Sequence, residues 1–459
     1  MEAISKQAVR VLNLLGDEDV TNVKCSVGPE QEYFLIDREQ FLQRDDLIFT
    51  GRTLFGHMPP KGQELDDHYF GTIRERQAAF MRELNDELWK LGILSKTQHN
   101  EVAPAQHEMA PIYSTANIAT DHNQLVMETM KKVARRHNFE CLLHEKPFAG
   151  VNGSGKHDNW SLVTNTGKNL LSPGKTPYDN KQFLLFLSAV IAAVDDNAAL
   201  LRMSASNPGN DHRLGANEAP PAIISIFLGE QLEDIVEQIL QNGTATHSNK
   251  GERMDIGVHT IPPIKKDATD RNRTSPFAFT GNKFEFRMVA SSMSIAGANT
   301  VLNATVADVL QSMADRMEKA DDLDKTVDEI IYETLKEHQK VIFNGNGYSD
   351  EWIAEAEKRG LPNVKTMVDA TASLLYPKTI EIFERQHVYT KTELESRAEI
   401  NYEAYAKAIN IEAKTMIHMA SKEYIPAIIS YVTSLGDSIN SISAACAEAD
   451  LSVQKDLLT

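Results

Sequence analysis

One short segment, Lys283-Phe284-Glu285-Phe286-Arg287, alternates charged and aromatic residues and strongly constrains the fold. Residues two apart in a β-strand share a face. The alternation therefore predicts a strand over residues 283–289, with Lys283, Glu285 and Arg287 on one surface. Phe284, Phe286 and Met288 would fill the core behind it.

An earlier segment predicts a second strand of the same kind, over residues 23–36. Its Glu30 and Glu32 share one face, which continues into Phe34 and Ile36. Two carboxylates this close repel each other unless cations lie between them. The two strands together predict a cleft that holds divalent metal and an anionic substrate.

Two further glutamates, Glu101 and Glu108, lie on either side of Pro104-Ala105. If these two residues turn a hairpin, Glu101 and Glu108 pair across it. Like charges placed directly opposite are destabilising unless a cation bridges them. A pair of solvated loop glutamates is the alternative interpretation of these residues, and the spacing alone leaves it open.

His157 follows a glycine-rich loop, Asn152-Gly153-Ser154-Gly155-Lys156. Glycines let a backbone approach a ligand closely. His157 would share its strand face with Asn159 and Ser161. A lone histidine is more often structural than a ligand, so the other acidic residues are needed to favour a metal site.

Several basic residues complete the pattern, and their guanidinium groups can bind carboxylate and phosphate oxygens. Glutamates with one imidazole suit Mg²⁺ or Mn²⁺ better than structural zinc. Two adjacent metals with a cationic clamp are typical of phosphoryl transfer. The basic residues in question are Arg213, Arg273, Lys283 and Arg287.

Composition narrows the classes of partner. Lys plus Arg is 47 and Asp plus Glu is 65, and the net charge of −18 argues against a nucleic-acid or polybasic membrane surface.

The longest apolar stretch, near Phe183 to Val194, is shorter than the ~20 residues of a membrane span. It predicts a buried helix over residues 179–203. Three widely spaced cysteines fit a reducing cytoplasm.

Six segments, in order, resemble the glutamine synthetase family: 28–37 (GPEQEYFLID), 100–108 (NEVAPAQHE), 146–157 (KPFAGVNGSGKH), 213–220 (RLGANEAP), 271–273 (RNR) and 283–287 (KFEFR). They lie within residues 24–310. A loop with 59–63 (PPKGQ) and 67–71 (DHYFG) resembles the family's type III branch, as do the long stretch between Glu218 and Arg271 and the helical C-terminal part.

The resemblance implies a role for each matched position. Glu32, Glu101 and Glu108 match the ligands of the metal nearer the glutamate, and Glu30, His157 and Glu285 those of the metal between the ATP phosphates. Asn152, Gly153, Arg213 and Arg287 match residues that hold glutamate, and Arg213 and Arg287 also grip the transferred phosphate. Glu218 matches the flap glutamate that accepts a proton from ammonium. Asn159, Ser161, Arg273 and Lys283 match positions beside ATP, with Lys283 standing where many relatives carry arginine.

The resemblance also implies an α+β fold, with a curved antiparallel sheet flanked by helices. We expect a catalytic domain over residues 1–310, with a type III insertion at about 228–270, and a helical C-terminal region over 311–459. A ring-shaped homo-oligomer in the cytoplasm, with active sites at subunit interfaces, is the assembly that it implies.

The implied activity is ATP-dependent ligation of ammonia to the γ-carboxylate of L-glutamate, with Mg²⁺ or Mn²⁺ as cofactor and no nucleic acid or membrane as partner. Two alternatives stay open: a γ-glutamyl-amine ligase of the same superfamily, and a non-catalytic assembly or regulatory paralogue. The family begins with a β-grasp domain, and the residues before Glu30 are too few to form one. We therefore expect a fragment or a shortened form that has weak or no biosynthetic activity alone.

Overall fold

The computed structural model describes residues 1–217, 219–248 and 272–459, together with the backbone of 253–254 and 264–265. The strands are β1 Val23–Asp37, β2 Ser95–Asn100, β3 Gln106–Pro111, β4 Ser114–Thr115, β5 Phe139–Leu142, β6 Gly155–Thr164, β7 Ile226–Phe227, β8 Arg253–Met254, β9 Ile264–Lys265, β10 Phe277–Phe279 and β11 Phe284–Ala290. The α-helices are α1 Glu2–Leu14, α2 Arg38–Phe41, α3 Asp45–Thr50, α4 Glu75–Lys90, α5 Ala116–Arg136, α6 Lys181–Asp196, α7 Ala198–Ser204, α8 Pro208–Arg213, α9 Glu230–Asn242, α10 Ala296–Met317, α11 Leu323–His338, α12 Asp350–Lys358, α13 Met367–Thr371, α14 Pro377–Arg385, α15 Lys391–Met419, α16 Ile425–Ala445 and α17 Ser452–Asp456.

The main sheet has the strand order β2-β3-β1-β6-β11-β10-β7, and β4 and β5 also pair with β1. Its pairings are antiparallel except that β10 and β7 are parallel. Helices flank this sheet, so the expected α+β class is confirmed. The parallel pair at the β7 edge is a departure from the expected antiparallel sheet.

The charged and aromatic alternation of β11 has the predicted consequence. Phe284, Phe286 and Met288 are fully buried in the largest hydrophobic cluster. The opposite face carries Glu285 and Arg287, which lie beside β6. The same cluster includes residues of α1, α6 and α10 and reaches Ala398 in α15. A continuous core thus crosses residue 310, and the proposed domain boundary there stays a prediction.

The helix predicted over residues 179–203 is wrong in one respect, because two helices occupy that stretch. The helices α6 and α7 meet at an angle of 82°. Asn197 stands between them with non-helical backbone angles, and its side-chain amide donates to the carbonyl of Ala193 at 3.0 Å. A side chain that bonds the carbonyl four residues earlier competes with helix continuation. Most of α6 is buried, as predicted.

The bend also separates two apolar helices, α6 and α7. Within the described part of the chain, no single helix is long and apolar enough to cross a membrane. The helices α6 and α7 reach the necessary length and composition only when they are taken together across their bend.

The hairpin predicted at Pro104-Ala105 exists, but its register differs from the expected one. Glu108 pairs with His99 and not with Glu101. Glu101 lies one residue beyond the end of β2, where its backbone N–H donates to the carbonyl of Gln106 at 2.9 Å. The turn closes earlier than assumed, with Ala105 at a φ of 63° and the Gln106 N–H donating to the Ala103 carbonyl at 3.0 Å. Pairing of Glu101 with Glu108 was therefore wrong.

Candidate active site

The site forms where β1, β3, β6 and β11 bring their polar faces together. His157 is the direct cross-strand partner of Glu30, and Asn159 is the partner of Glu285. Glu32 is the direct partner of Glu108. The register alone therefore gathers carboxylates from three strands around a single imidazole. Glu30, Glu32 and Glu108 line a cavity of about 500 Å³, as does His157.

His157 stands at the centre of this cluster. Its Nδ1 atom lies 2.8 Å from Glu30 Oε2, 3.0 Å from Glu285 Oε1 and 3.7 Å from Glu108 Oε1. Its Nε2 atom lies 3.8 Å from Glu32 Oε1. Burial and the nearby Arg287 act to lower the pKa of His157, but hydrogen bonds that its imidazolium donates to Glu285 and Glu30 outweigh them and raise the pKa well above 6.5. Without a metal, the imidazolium partly neutralises its acidic neighbours.

A second group of potential ligands joins the first through Glu108. The Nε2 atom of His99 lies 2.8 Å from Glu108 Oε2, and its Nδ1 atom lies 3.6 Å from Glu101 Oε1. The hydrogen bond to Glu108 raises the pKa of His99 to about 9. The two overlapping groups, Glu30-Glu108-His157 and His99-Glu101-Glu108, each place one donor atom per residue within 4.8 Å of the others.

The carboxylates here are held in conditions that disfavour their charge. Burial, followed by repulsion from Glu108, raises the pKa of Glu101 to about 7. Burial also raises the pKa of Glu32 and of Glu108. One oxygen of Glu108, Oε1, is buried and has no hydrogen-bond partner among the described residues. A cluster of buried carboxylates in which one oxygen has no donor is suited to a cation.

The residues present fit hard divalent cations. Five carboxylates and one imidazole converge, and the orphaned Glu108 Oε1 offers a lone pair to an ion. Oxygen ligands with one nitrogen suit Mg²⁺ or Mn²⁺. Glu30, His157 and Glu285, which the resemblance assigns to one metal, lie together. Glu32 and Glu108 face each other, and Glu101 lies on the same cavity wall.

Two arginines form the cationic side of the cavity. The NH2 group of Arg213 donates to the Arg287 carbonyl at 3.2 Å, and Arg287 NH1 lies 3.2 Å from Glu285 Oε1. The Nε atom of Arg287 is buried without a hydrogen-bond partner among the described residues. A Cβ atom at Gly155 would lie 2.2 Å from Arg213 NH2, so only glycine leaves room for this guanidinium.

The Asn152-Gly153 segment lines the same cavity as the glutamates and Arg213. Gln106 Nε2 donates to the Gly153 carbonyl at 2.9 Å, and the Ser154 N–H donates to the Glu145 carbonyl at 2.9 Å. The Asn152 backbone N–H donates to Gln63 Oε1 at 2.8 Å. Two glutamine side chains and one carbonyl thus fix a short irregular stretch of backbone.

The remaining predicted site residues are those assigned to ATP and those that lie outside the described chain. Asn159 Nδ2 donates to Glu30 Oε1 at 3.1 Å, and Ser161 Oγ donates to the Asn282 carbonyl at 3.0 Å. Neither of these residues, nor Lys283, lines the cavity, whereas Arg273 does. Their assignment to ATP stays a prediction. Glu218 and Arg271 lie outside the described residues, as do most of residues 249–270 in the insertion expected at 228–270.

Two residues that contact the site, His99 and Gln63, were not predicted from the sequence. His99 shares the β2 face that leads to Glu101, so the period-two alternation used for the other strands signals it. Gln63 lies in a loop with no periodic pattern, and no local signal predicts its contact with Asn152.

Comparison with known proteins agrees with this geometry. The family model described as "Glutamine synthetase, catalytic domain" matches residues 6–223, and "Glutamine synthetase C-terminal domain" matches residues 326–443. A "Glutamine synthetase" of Butyrivibrio fibrisolvens is 50% identical over 100% of this chain and 66% of its own length. A "Type-3 glutamine synthetase" of Dictyostelium discoideum is 48% identical over 96% of this chain and 60% of its own.

The helix-flanked sheet has a counterpart among solved structures. "Apo GmaS without ligand" superposes with a TM-score of 0.52, at 16% identity, over 89% of this chain and 73% of that one. At this identity the likeness concerns the fold alone.

The two family models and the two relatives above show the family: the chain belongs to the glutamine synthetase family. It spans 66% and 60% of the length of the two relatives above.

Proposed function

We propose that the protein to which this chain belongs ligates ammonia to the γ-carboxylate of L-glutamate at the expense of ATP. One observation supports this most directly: Glu30, Glu108 and Glu285 all approach His157 within 4 Å, and Arg213 and Arg287 border the same cavity. Divalent cations held by these carboxylates, opposite two guanidinium groups, would suit a reaction between two anions.

Two divalent cations, Mg²⁺ or Mn²⁺, would be held by the two ligand sets. Glu30, His157 and Glu285 form one set, and Glu32, Glu101 and Glu108 the other. When bound, the cations supply charge neutralisation at the phosphate and carboxylate oxygens. The second set neighbours His99, whose imidazole holds Glu108 in place at 2.8 Å.

Glutamate would lie along the wall that holds Asn152 and Gly153. Arg213 and Arg287 then offer guanidinium donors to its carboxylates and to the transferred phosphate. The buried Arg287 Nε atom has donor capacity left for such an anion. ATP would extend toward Asn159 and Ser161, with Arg273 and Lys283 near its phosphates.

The reaction proceeds in two displacements. An oxygen of the γ-carboxylate attacks the γ-phosphorus of ATP, the bond to the β–γ bridging oxygen breaks, and ADP leaves. Ammonia then attacks the carbonyl carbon of γ-glutamyl phosphate, and the carbon–oxygen bond to phosphate breaks. By the family resemblance, Glu218 takes the proton that ammonium gives up. Arg213 and Arg287 screen the negative charge of both steps.

The assembly and the compartment are also proposals. We infer a ring-shaped homo-oligomer in the cytoplasm with the cavity at a subunit interface, acting on small molecules rather than on nucleic acid or membranes. The net charge of −18 supports the exclusion of polyanionic partners.

Trapping the activated intermediate tests the function. The protein is incubated with L-glutamate, ATP and Mn²⁺, and hydroxylamine replaces ammonia so that γ-glutamyl phosphate becomes a hydroxamate, which is then measured as its coloured ferric complex. We expect hydroxamate from the wild type and from Glu403→Gln, an exposed glutamate of α15, but at least 100-fold less from Glu285→Gln.

The outcomes separate the candidates. Glutamine formed from ammonium, in preference to products of methylamine or polyamines, supports the ammonia ligase. Preference for an amine favours the γ-glutamyl-amine ligase. A protein that binds Mn²⁺ at neither ligand set, and forms no hydroxamate, would contradict both and favour a non-catalytic paralogue.

A further inference from the structure

The loop between α3 and α4, residues 51–74, covers the cavity and reaches the Asn152-Gly153 segment. We call it the covering loop. Its Asp66, Tyr69 and Phe70 line the cavity beside the carboxylates. Met58 packs so closely against Gly150 that a Cβ atom there would lie 2.5 Å from its sulfur. The covering loop is therefore packed onto the backbone that leads into the site.

Gln63 of the covering loop contacts Asn152 at two points. Its Nε2 donates to Asn152 Oδ1 at 2.8 Å, and its Oε1 accepts from the Asn152 backbone N–H at 2.8 Å. One carboxamide thereby fixes both the backbone and the side-chain rotamer of Asn152. The two bonds also define which end of the Asn152 amide turns toward Gln63.

The start of the covering loop is tied to the C-terminal helices. Arg52 forms a bidentate ion pair with Glu412 of α15, with Nε and NH2 each 2.7 Å from a carboxylate oxygen. Three positions further on, the ring centroid of Phe55 lies 4.8 Å from that of Tyr424, a residue between α15 and α16. Two-point guanidinium pairs that are mostly shielded from water hold geometry better than exposed pairs.

We propose that Gln63 is a positioning residue for the amino-acid pocket, and that the Arg52–Glu412 pair holds the covering loop in the place where Gln63 can act. The proposal rests on the proposed function for the identity of the ligand, L-glutamate. It assigns to the helical C-terminal region a part in substrate binding, through the chain Glu412, Arg52, Gln63 and Asn152. Gln63 itself orders Asn152 and need not touch the substrate.

Two measurements on the purified full chain test this. Hydrogen exchange follows the peptides that contain residues 56–70 and Asn152 without any substrate. Calorimetry follows L-glutamate binding in the presence of Mn²⁺ and a non-hydrolysable ATP analogue. The variants are Gln63→Ala, with Gln43→Ala as an exposed matched control, and Glu412→Gln, with Glu403→Gln of the same helix as control.

For Gln63→Ala we expect faster exchange at Asn152 and an approximately ten-fold weaker affinity for L-glutamate, because two hydrogen bonds are lost. The affinity for Mn²⁺ should stay within two-fold, since Gln63 contacts none of the carboxylates in the described structure. For Glu412→Gln we expect faster exchange over residues 56–70 and an approximately three- to ten-fold weaker affinity for L-glutamate. Both control variants should match the wild type.

Unchanged glutamate affinity in Gln63→Ala, or equal weakening of Mn²⁺ and glutamate binding, would overturn the positioning role. Unchanged exchange over residues 56–70 in Glu412→Gln would overturn the coupling between the covering loop and α15. A wild type that binds Mn²⁺ but no L-glutamate would instead overturn the proposed function. The exchange experiment would still decide the coupling, because it needs no substrate.

Discussion

Glu32 and Glu108 are direct partners on the neighbouring antiparallel strands β1 and β3, so two buried carboxylates face each other across the sheet. Such a pairing of like charges is unfavourable in a fold that has no cation to place between them. The strand register therefore places two carboxylates that repel each other at the point where the proposed metal ligands meet.

Divalent metal should stabilise the protein, and removing one charge should stabilise the metal-free form. We expect Mn²⁺ to raise the melting temperature of the wild type, since a ligand that binds only the folded state adds to its stability. Without metal, Glu32→Gln should unfold with a free energy about 1 kcal/mol higher than the wild type. Exposed Glu128→Gln should change neither value. Calorimetric melts with and without a chelator measure both effects, and a wild type that melts at the same temperature in each contradicts the prediction.

Stability without metal should fall as the pH rises through the range in which Glu101 ionises. Burial and repulsion from Glu108 raise the pKa of Glu101 from 4.5 to about 7, so the folded state binds a proton that the unfolded state has lost. Stability then declines from about pH 4.5 to 7, by roughly 3 kcal/mol in all.

Glu101→Gln has no such proton to lose. Its urea-unfolding free energy should therefore exceed that of the wild type above pH 7 and converge with it near pH 4.5. A metal-ligand carboxylate must also shed its proton, so Mn²⁺ affinity in the wild type should rise between pH 6 and 8. Equal pH dependence in the two proteins would contradict the assignment of the titrating group to Glu101.

Gly155 should tolerate no side chain, because Arg213 lies against it. A Cβ atom there would lie 2.2 Å from NH2 and 2.4 Å from Cζ of Arg213. Gly155→Ala should displace this guanidinium, weaken L-glutamate binding at least ten-fold and cost about 1–3 kcal/mol of stability. Gly436→Ala, in α16 with open space around it, is the control and should be neutral or slightly stabilising. Wild-type glutamate affinity in Gly155→Ala would show that Arg213 does not bind it.

The long helix α15 begins with a capping box, which should contribute measurably to stability. The Thr390 hydroxyl accepts from the Glu393 N–H, and the Glu393 carboxylate accepts from the Thr390 N–H at 2.7 Å. Thr390→Ala should lower the free energy of unfolding by about 1 kcal/mol, whereas Thr390→Ser keeps the hydroxyl and should change little. Equal destabilisation by both substitutions would show that the methyl group, and not the cap, is responsible.

Strand alternation predicted much of the site, since side-chain period and register are local consequences of an extended backbone. Glu30 with Glu32, and Glu285 with Arg287, lie on the faces that their spacing required. The ligand partners of His157 could not be derived from spacing, because they depend on which strands are neighbours. That information came from the family resemblance.

The expectations that failed did so where one residue overrides a pattern, through its side chain at Asn197 and through its backbone at Ala105. Asn197 ends a helix that apolar periodicity alone would continue. In the β2–β3 hairpin, the early turn at Ala105 shifts Glu101 out of register with Glu108 and puts His99 in its place. The contact between Gln63 and Asn152 joins positions far apart in the sequence through a loop without periodicity, so no local rule could have predicted it.

The central claim is that dispersed acidic residues meet around two divalent cations in one cavity. Crystals of the protein soaked in Mn²⁺, with diffraction recorded near the manganese absorption edge, test it most directly. The account predicts two anomalous peaks, one among Glu30, His157 and Glu285 and the other among Glu32, Glu101 and Glu108. Density for these six side chains with no manganese peak between them would contradict it.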